Sequence, residues 1–155
     1  MSPHEFLSPT DWKPAVGYSN GVAASGRMLF LGGMIGWNGQ QEFESDDFIE
    51  QAAQALRNIV DVLAEGGAGP EHLVRLTWYV IDRDEYVARQ KDLGRVYRDI
   101  IGKHFPAMAL VQVADLLEDG ALVEIEGLAI LPCAEGEVSA GGGRPILPDG
   151  DGAGA

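Results

Sequence analysis

Over residues 122–131, LVEIEGLAIL, apolar and polar positions alternate with period two. Val123, Ile125, Gly127, Ala129 and Leu131 form a wholly apolar set, while Leu122, Glu124, Glu126, Leu128 and Ile130 carry two carboxylates among them. This is the pattern of a strand with two unlike faces. Upstream, Ala107, Ala109, Val111 and Val113 alternate with Met108, Leu110, Gln112 and Ala114. Asp119-Gly120 lies between the two runs, and Asp-Gly between alternating stretches predicts a β-hairpin over His104 to Leu131. Residues 73–81 alternate too, with Arg75, Thr77 and Tyr79 opposite Val74, Leu76, Trp78 and Val80. RMLFLGGMI, residues 27–35, is apolar enough for a strand covered on both faces. Its Gly32-Gly33 pair marks a bulge or a close approach by a backbone or ligand.

Helical spacing takes over at Ile49, Ala52, Ala53, Leu56, Ile59, Val60 and Leu63, preceded by Asp47 through Glu50 at capping-box spacing and stopped by Gly66-Gly67. A second capping box at Asp82 to Glu85 opens a helix that runs to about Lys103 through Gly94. With a further short strand over 15–24, the order is β-β-α-β-α-β-β. It predicts an α+β two-layer sandwich with two helices on one face of a mixed five- to six-stranded sheet. The other face collects Arg75, Thr77, Tyr79, Gln112, Glu124 and Glu126 with Leu29, Leu31, Leu110 and Leu128. Such a mixture is too apolar for water and predicts an oligomer interface.

Length allows one domain over residues 15–132. Residues 1–14, with three prolines, read as a loosely ordered lead-in, and 133–155, rich in Gly, Ala and Pro, as a flexible tail. No apolar run reaches the ~18 residues of a membrane span and no signal peptide opens the chain, so no membrane partner and a cytoplasmic location are expected. Cys133 is the sole cysteine, so neither an internal disulfide nor a CxxC site is available. A formal charge of -13 repels phosphates and argues against nucleic acid. Arg89, Lys91, Arg95, Arg98 and Lys103 share their helix with Asp84, Glu85, Asp92 and Asp99 and read as a solvated, salt-bridged face. His4, His72 and His104 are widely spaced and form no metal motif, so no metal is expected. Ser19 has no His-Asp signature beside it.

Several motifs together resemble the YjgF/RidA (Rid, L-PSP-like) family across about residues 15–131. They are GYSNGV at 17–22, LFLGGMIG at 29–36, the block QAAQALRNIVDVLAEGGAGPEHLVRLTWYVID, and HFPAM followed by VEIEGLAIL. The resemblance implies a chorismate-mutase-like fold and a homotrimer whose sheets line a central barrel, with small-molecule clefts between subunits. It implies hydrolysis of enamines and imines, such as 2-iminoacids, without metal or organic cofactor. By the same resemblance the catalytic positions are Glu124, which matches the glutamate positioning the hydrolytic water, and Tyr18, whose ring walls the cleft. The substrate-binding positions are Gly33 and Met34 in the strand-end glycine motif, Gln90 where the family has an asparagine, Met108 and Leu110.

Met108 stands where deaminating members carry an arginine that clamps the substrate carboxylate. A guanidinium makes a bidentate charged pair that a thioether cannot. Truncating one partner of such a pair costs about 2 to 5 kcal/mol, so ordinary 2-iminoacids should bind ~30-fold to several-thousand-fold more weakly. Beside Met108 and Leu110, Glu124 would be partly desolvated and suited to general acid or base work. The bland alternative is a structural ion pair between Glu124 and Arg75. Glu126 reads as barrel lining, and Trp37 and Tyr86 as ligand stacking or simple packing. Three functions follow: an enamine/imine hydrolase, a non-catalytic metabolite-binding module, and an endoribonuclease, against which the charge argues.

Overall fold

A computed structural model describes residues 2–133. In chain order the elements are β1 (Glu5–Leu7), β2 (Gly21–Ala23), β3 (Arg27–Ile35), α1 (Phe48–Glu65), β4 (Leu73–Val80), α2 (Arg83–Ala88), α3 (Gln90–Ile100), β5 (Ala107–Gln112) and β6 (Val123–Leu131). A 3₁₀ turn, Pro70–His72, leads into β4. The architecture is α+β, with helices on a mixed sheet of order β3-β6-β4-β5 and a separate β1-β2 ribbon. β1 arises inside the stretch read as a lead-in, paired antiparallel with β2. Beyond Cys133 the expected tail lies outside the described residues. No helix among the described residues is long and apolar enough to cross a membrane.

The expected β5-β6 hairpin does not form. β6 pairs antiparallel with β3 and β4, whereas β5 pairs parallel with β4 from its other side. Leu76, Trp78 and Val80 of β4 are buried, which suits a strand paired on both sides. The α2–α3 crossover is the kind of connection that delivers a parallel neighbour. Asp119-Gly120 still turns the chain, with Gly120 at φ 86 and the Ala121 amide donating to the Glu118 carbonyl at 3.1 Å. The turn aims the chain into β6 across β4.

The alternation over 122–131 holds. Val123, Ile125 and Ala129 are fully buried under α1, whose Asp47 cap accepts from the Ile49 and Glu50 amides at 2.9 and 3.1 Å. Leu56, Ile59 and Leu63 fill the space above them. The second predicted helix is broken in two at Arg89, which leaves helical geometry at φ -109, ψ 16. Its guanidinium bridges Asp47 at 2.5 Å, and that bond holds the Asp47 carboxyl below its usual range. The break thus ties the α2–α3 junction to the start of α1.

β3 is covered on one face only. Leu29 and Leu31 pack into the core, while Met28 is 50% and Phe30 77% exposed. Leu110 also turns to the core instead of the mixed face, opposite Trp78 in register. The outer face therefore holds Met28, Phe30, Tyr79, Glu124, Glu126 and Leu128.

Candidate active site

Six of the seven residues singled out from the sequence fall into two groups, Met34 lying apart. The first lies on the outer sheet face. The β3-β6 register shifts between Leu31 and Met34, so Gly32-Gly33 forms the bulge their glycine pair suggested. A Cβ built on Gly33 would overlap Oε1 of Glu124. Glycine at that point is what lets the carboxylate lie against the β3 backbone. Glu124, partly buried, faces Tyr79 across the β4-β6 pair. The Tyr79 hydroxyl donates to Glu126 Oε1 at 3.0 Å, a bond that raises its pKa. Arg75 shares this face, and among the described residues it makes no ion pair with Glu124 within the chain. Thr77, buried in the same strand, has a hydroxyl without a hydrogen-bond partner. Met34 turns inward and packs against the core.

The second group lines a cavity of about 980 Å³ between β5, α2–α3 and the segment before β2, where Tyr18, Gln90, Met108 and Leu110 meet. The loop carrying Tyr18 is pinned to the entry of β5. The Ser19 amide donates to the Pro106 carbonyl at 3.0 Å, and the Ser19 hydroxyl to the Phe105 carbonyl at 2.5 Å. Met108 and Leu110 register with Leu76 and Trp78, which places them on the helix side of the sheet. Tyr97 stacks on Phe105 at 5.5 Å and donates to the His104 carbonyl at 2.8 Å. Burial pushes its hydroxyl pKa far up, so it stays protonated. Tyr86 belongs to the wall of this cavity; Trp37 instead packs on Phe43 at 6.3 Å.

One chain does not bring the two groups together. Residues next to each other on a strand point to opposite faces, and Glu124 pairs with Tyr79 while Met108 and Leu110 pair with Leu76 and Trp78. The expected desolvation of Glu124 by Met108 and Leu110 is therefore absent within a chain.

Three groups escaped sequence reasoning. Arg98 and Lys103, both exposed, also line the rim of the cavity. A usable signal existed, because Gln90, Gly94 and Arg98 recur every four residues and so form one helix stripe. Gln51 looked like an ordinary helix residue. It is 1% exposed, donates to the Ser45 and Gly120 carbonyls at 3.0 and 2.9 Å, and accepts from the Leu122 amide at 2.9 Å. That clamp holds the entry to β6 two residues before Glu124. The histidines, far apart in sequence, converge at the start of β4. His4 Nε2 donates to the His72 carbonyl at 3.2 Å and His104 Nε2 to the Leu73 carbonyl at 2.7 Å. Among the described residues no three His, Cys, Asp or Glu side chains are grouped to hold a metal ion.

Comparison with known proteins identifies the family and the fold. The family model described as Endoribonuclease L-PSP matches residues 9–131. The Drosophila melanogaster RutC family protein UK114 is 32% identical over 124 residues, 79% of this chain and 86% of that one. Human 2-iminobutanoate/2-iminopropanoate deaminase is 30% identical over 114 residues, 73% and 79% of the two chains. The solved structure of the Rid-family protein YyfB from Yersinia pestis superposes with a TM-score of 0.75 at 30% identity, covering 83% of this chain and 98% of its own. The chain belongs to the YjgF/RidA (Rid, L-PSP) family.

Proposed function

We propose that the protein is a homotrimeric hydrolase of reactive enamines or imines, acting in clefts between subunits with Glu124 positioning or activating water. The observation that carries this reading is the separation of the two groups. Glu124 and Gly33 lie on the outer sheet face, and Tyr18, Gln90, Met108 and Leu110 lie in the helix-side cavity. A second copy, docked through the exposed outer face with Phe30 and Met28, would bring its Glu124 to the cavity of its neighbour. Cyclic assembly of this kind is a common way to bury a mixed sheet face.

In the cleft, water held by Glu124 attacks the imine carbon, and the carboxylate takes the water's proton and passes it to the imine nitrogen. The carbinolamine then breaks its C–N bond as its hydroxyl proton moves by way of Glu124 to the leaving nitrogen, releasing ammonia and the carbonyl product. Tyr18 closes the wall around the reacting atoms. Since Met108 offers only polarizable apolar surface, small 2-iminoacids that depend on a charged clamp at that position turn over poorly. Two measurements test the reading. Light scattering should give about 50 kDa, three copies of a 16.6 kDa chain. Ammonia release from enzymatically generated imines should be lost in Glu124→Gln; a monomeric mass, or undiminished release, would refute it.

A non-catalytic binding module is the second reading. It is favoured by one observation: within a chain the cavity lining contains neither a carboxylate nor a histidine. Turnover of any imine by wild-type protein excludes it.

A further inference from the structure

The charge of the cavity is opposite to that of the chain. The protein carries a formal -13, yet the cavity is lined by Arg98 and Lys103 and by no Asp or Glu. Apart from Ser19 and Gln90 the rest of its wall is apolar or aromatic, with Trp78, Tyr97, Phe105 and Met108 among the lining residues. Arg89, on the same helical stretch, is engaged by Asp47, Glu85 and Asp92, and Arg95 by Asp92. Arg98 and Lys103 make no such pair among the described residues. They are also placed together by topology. Arg98 lies in the last turn of α3, and Lys103 follows in the link that enters β5 five residues before Met108.

The helix geometry makes room for them. Gly94 is one turn before Arg98, and a Cβ there would stand 3.5 Å from the guanidinium. Its lack of a side chain keeps the stripe from Gln90 to Arg98 open along about 12 Å of α3. Two cations without an ion-pair partner among the described residues, beside a mainly apolar pocket, suit an anion with an apolar body. We propose that Arg98 and Lys103 are the anion subsite of this cavity, receiving the carboxylate of an organic acid whose apolar part lies against Trp78, Phe105 and Met108. This deepens the function proposed above and rests on it for turnover, though not for binding. It makes the substrate an acid whose carboxylate is held away from residue 108.

The test compares 3-phenylpropanoate with 3-phenylpropanamide, a pair alike in shape and different in charge, by titration calorimetry on the full chain. Wild-type protein should bind the acid about tenfold more tightly than the amide, and added salt should weaken only the acid. Arg98→Gln with Lys103→Gln should abolish the preference, and Arg95→Gln, outside the cavity lining, should keep it. Single Lys103→Gln, expected to lose part of the preference, provides the same reading if the double variant unfolds. Equal binding of the two probes by wild type, or a preference that survives in the double variant, would overturn the proposal. An acid preference without ammonia release from any imine would leave the subsite standing and remove the proposed hydrolase.

Discussion

The two faces of the central sheet are built from the same alternating strands but to different ends. The outer face carries Glu124 against Gly33, with Tyr79 bonded to Glu126 beside it. The helix side carries a cavity with Tyr18, Gln90, Met108 and two cations. The first arrangement has groups suited to moving a proton but no enclosure. The second has enclosure and charge but no base. Period-two alternation explains how this comes about, because Glu124 and Ile125 are neighbours in sequence and lie on opposite sides of the sheet. In the proposed function a chain so divided gains a complete site by assembly.

The division can be broken one half at a time, and the largest effect should come from Glu124. Glu124→Gln should lower the rate of ammonia release by ~10²- to 10⁴-fold, the usual contribution of a positioned acid or base. Binding of 3-phenylpropanoate should be unaffected; calorimetry and a coupled ammonia assay read the two halves separately.

Gln51→Leu should be next. It leaves the Ser45 and Gly120 carbonyls and the Leu122 amide without their buried partner, which should cost about 3 kcal/mol in denaturant unfolding. Because the clamp sits just before Glu124, turnover should suffer more than cavity binding.

Gly33→Ala sharpens the comparison further. The added methyl would overlap the carboxylate and Cγ of Glu124, a flexible side chain that can swing aside, so stability should change by about 1 kcal/mol. Displacement of the carboxylate should nonetheless slow turnover on the order of 10- to 100-fold. A rate like that of wild type would show that the contact between Gly33 and Glu124 has no catalytic meaning.

The smallest effect concerns the cavity side. Burial lowers the pKa of His104 from its ordinary 6.5, against the opposing bond to the Leu73 carbonyl. The folded chain thus keeps His104 neutral while the unfolded chain takes up a proton first. Stability from this group is complete above about pH 6.5 and declines as pH falls through that value toward the lower folded pKa. Thermal melts across this range should show the decline, and His104→Gln should flatten it.

Local features were legible in the sequence wherever the cause is local. Asp47 and Asp82 cap their helices as their spacing implies, and Gly32-Gly33 bulges where a strand pattern met two glycines. The apolar set of β6 is the buried one. Misreadings arise where a distant partner decides. Asp119-Gly120 looks like a hairpin turn, but whether β5 or β4 lies beside β6 depends on a crossover that no turn signal encodes. The helix breaks at Arg89, whose guanidinium reaches Asp47, 42 residues away. Arg98 and Lys103 are exposed as their sequence implies, and their place beside the cavity was hidden because it is assembled from β5, α3 and the segment around Tyr18. The family motifs pointed to the candidate residues, but not to their division between two faces.

Subunit complementation tests the central claim most directly. Glu124→Gln retains the cavity, and Met108→Trp, which sets a bulky ring at the proposed substrate-binding position, retains Glu124. Each alone should be nearly inactive. If each cleft joins the cavity of one chain to Glu124 of another, an equal mixture dissociated and reassembled should place both intact halves together in about one quarter of its clefts. Ammonia release should then return to about that fraction of the wild-type rate. Activity no higher than that of the separate variants, in a mixture shown by light scattering to have reassembled, would contradict the account.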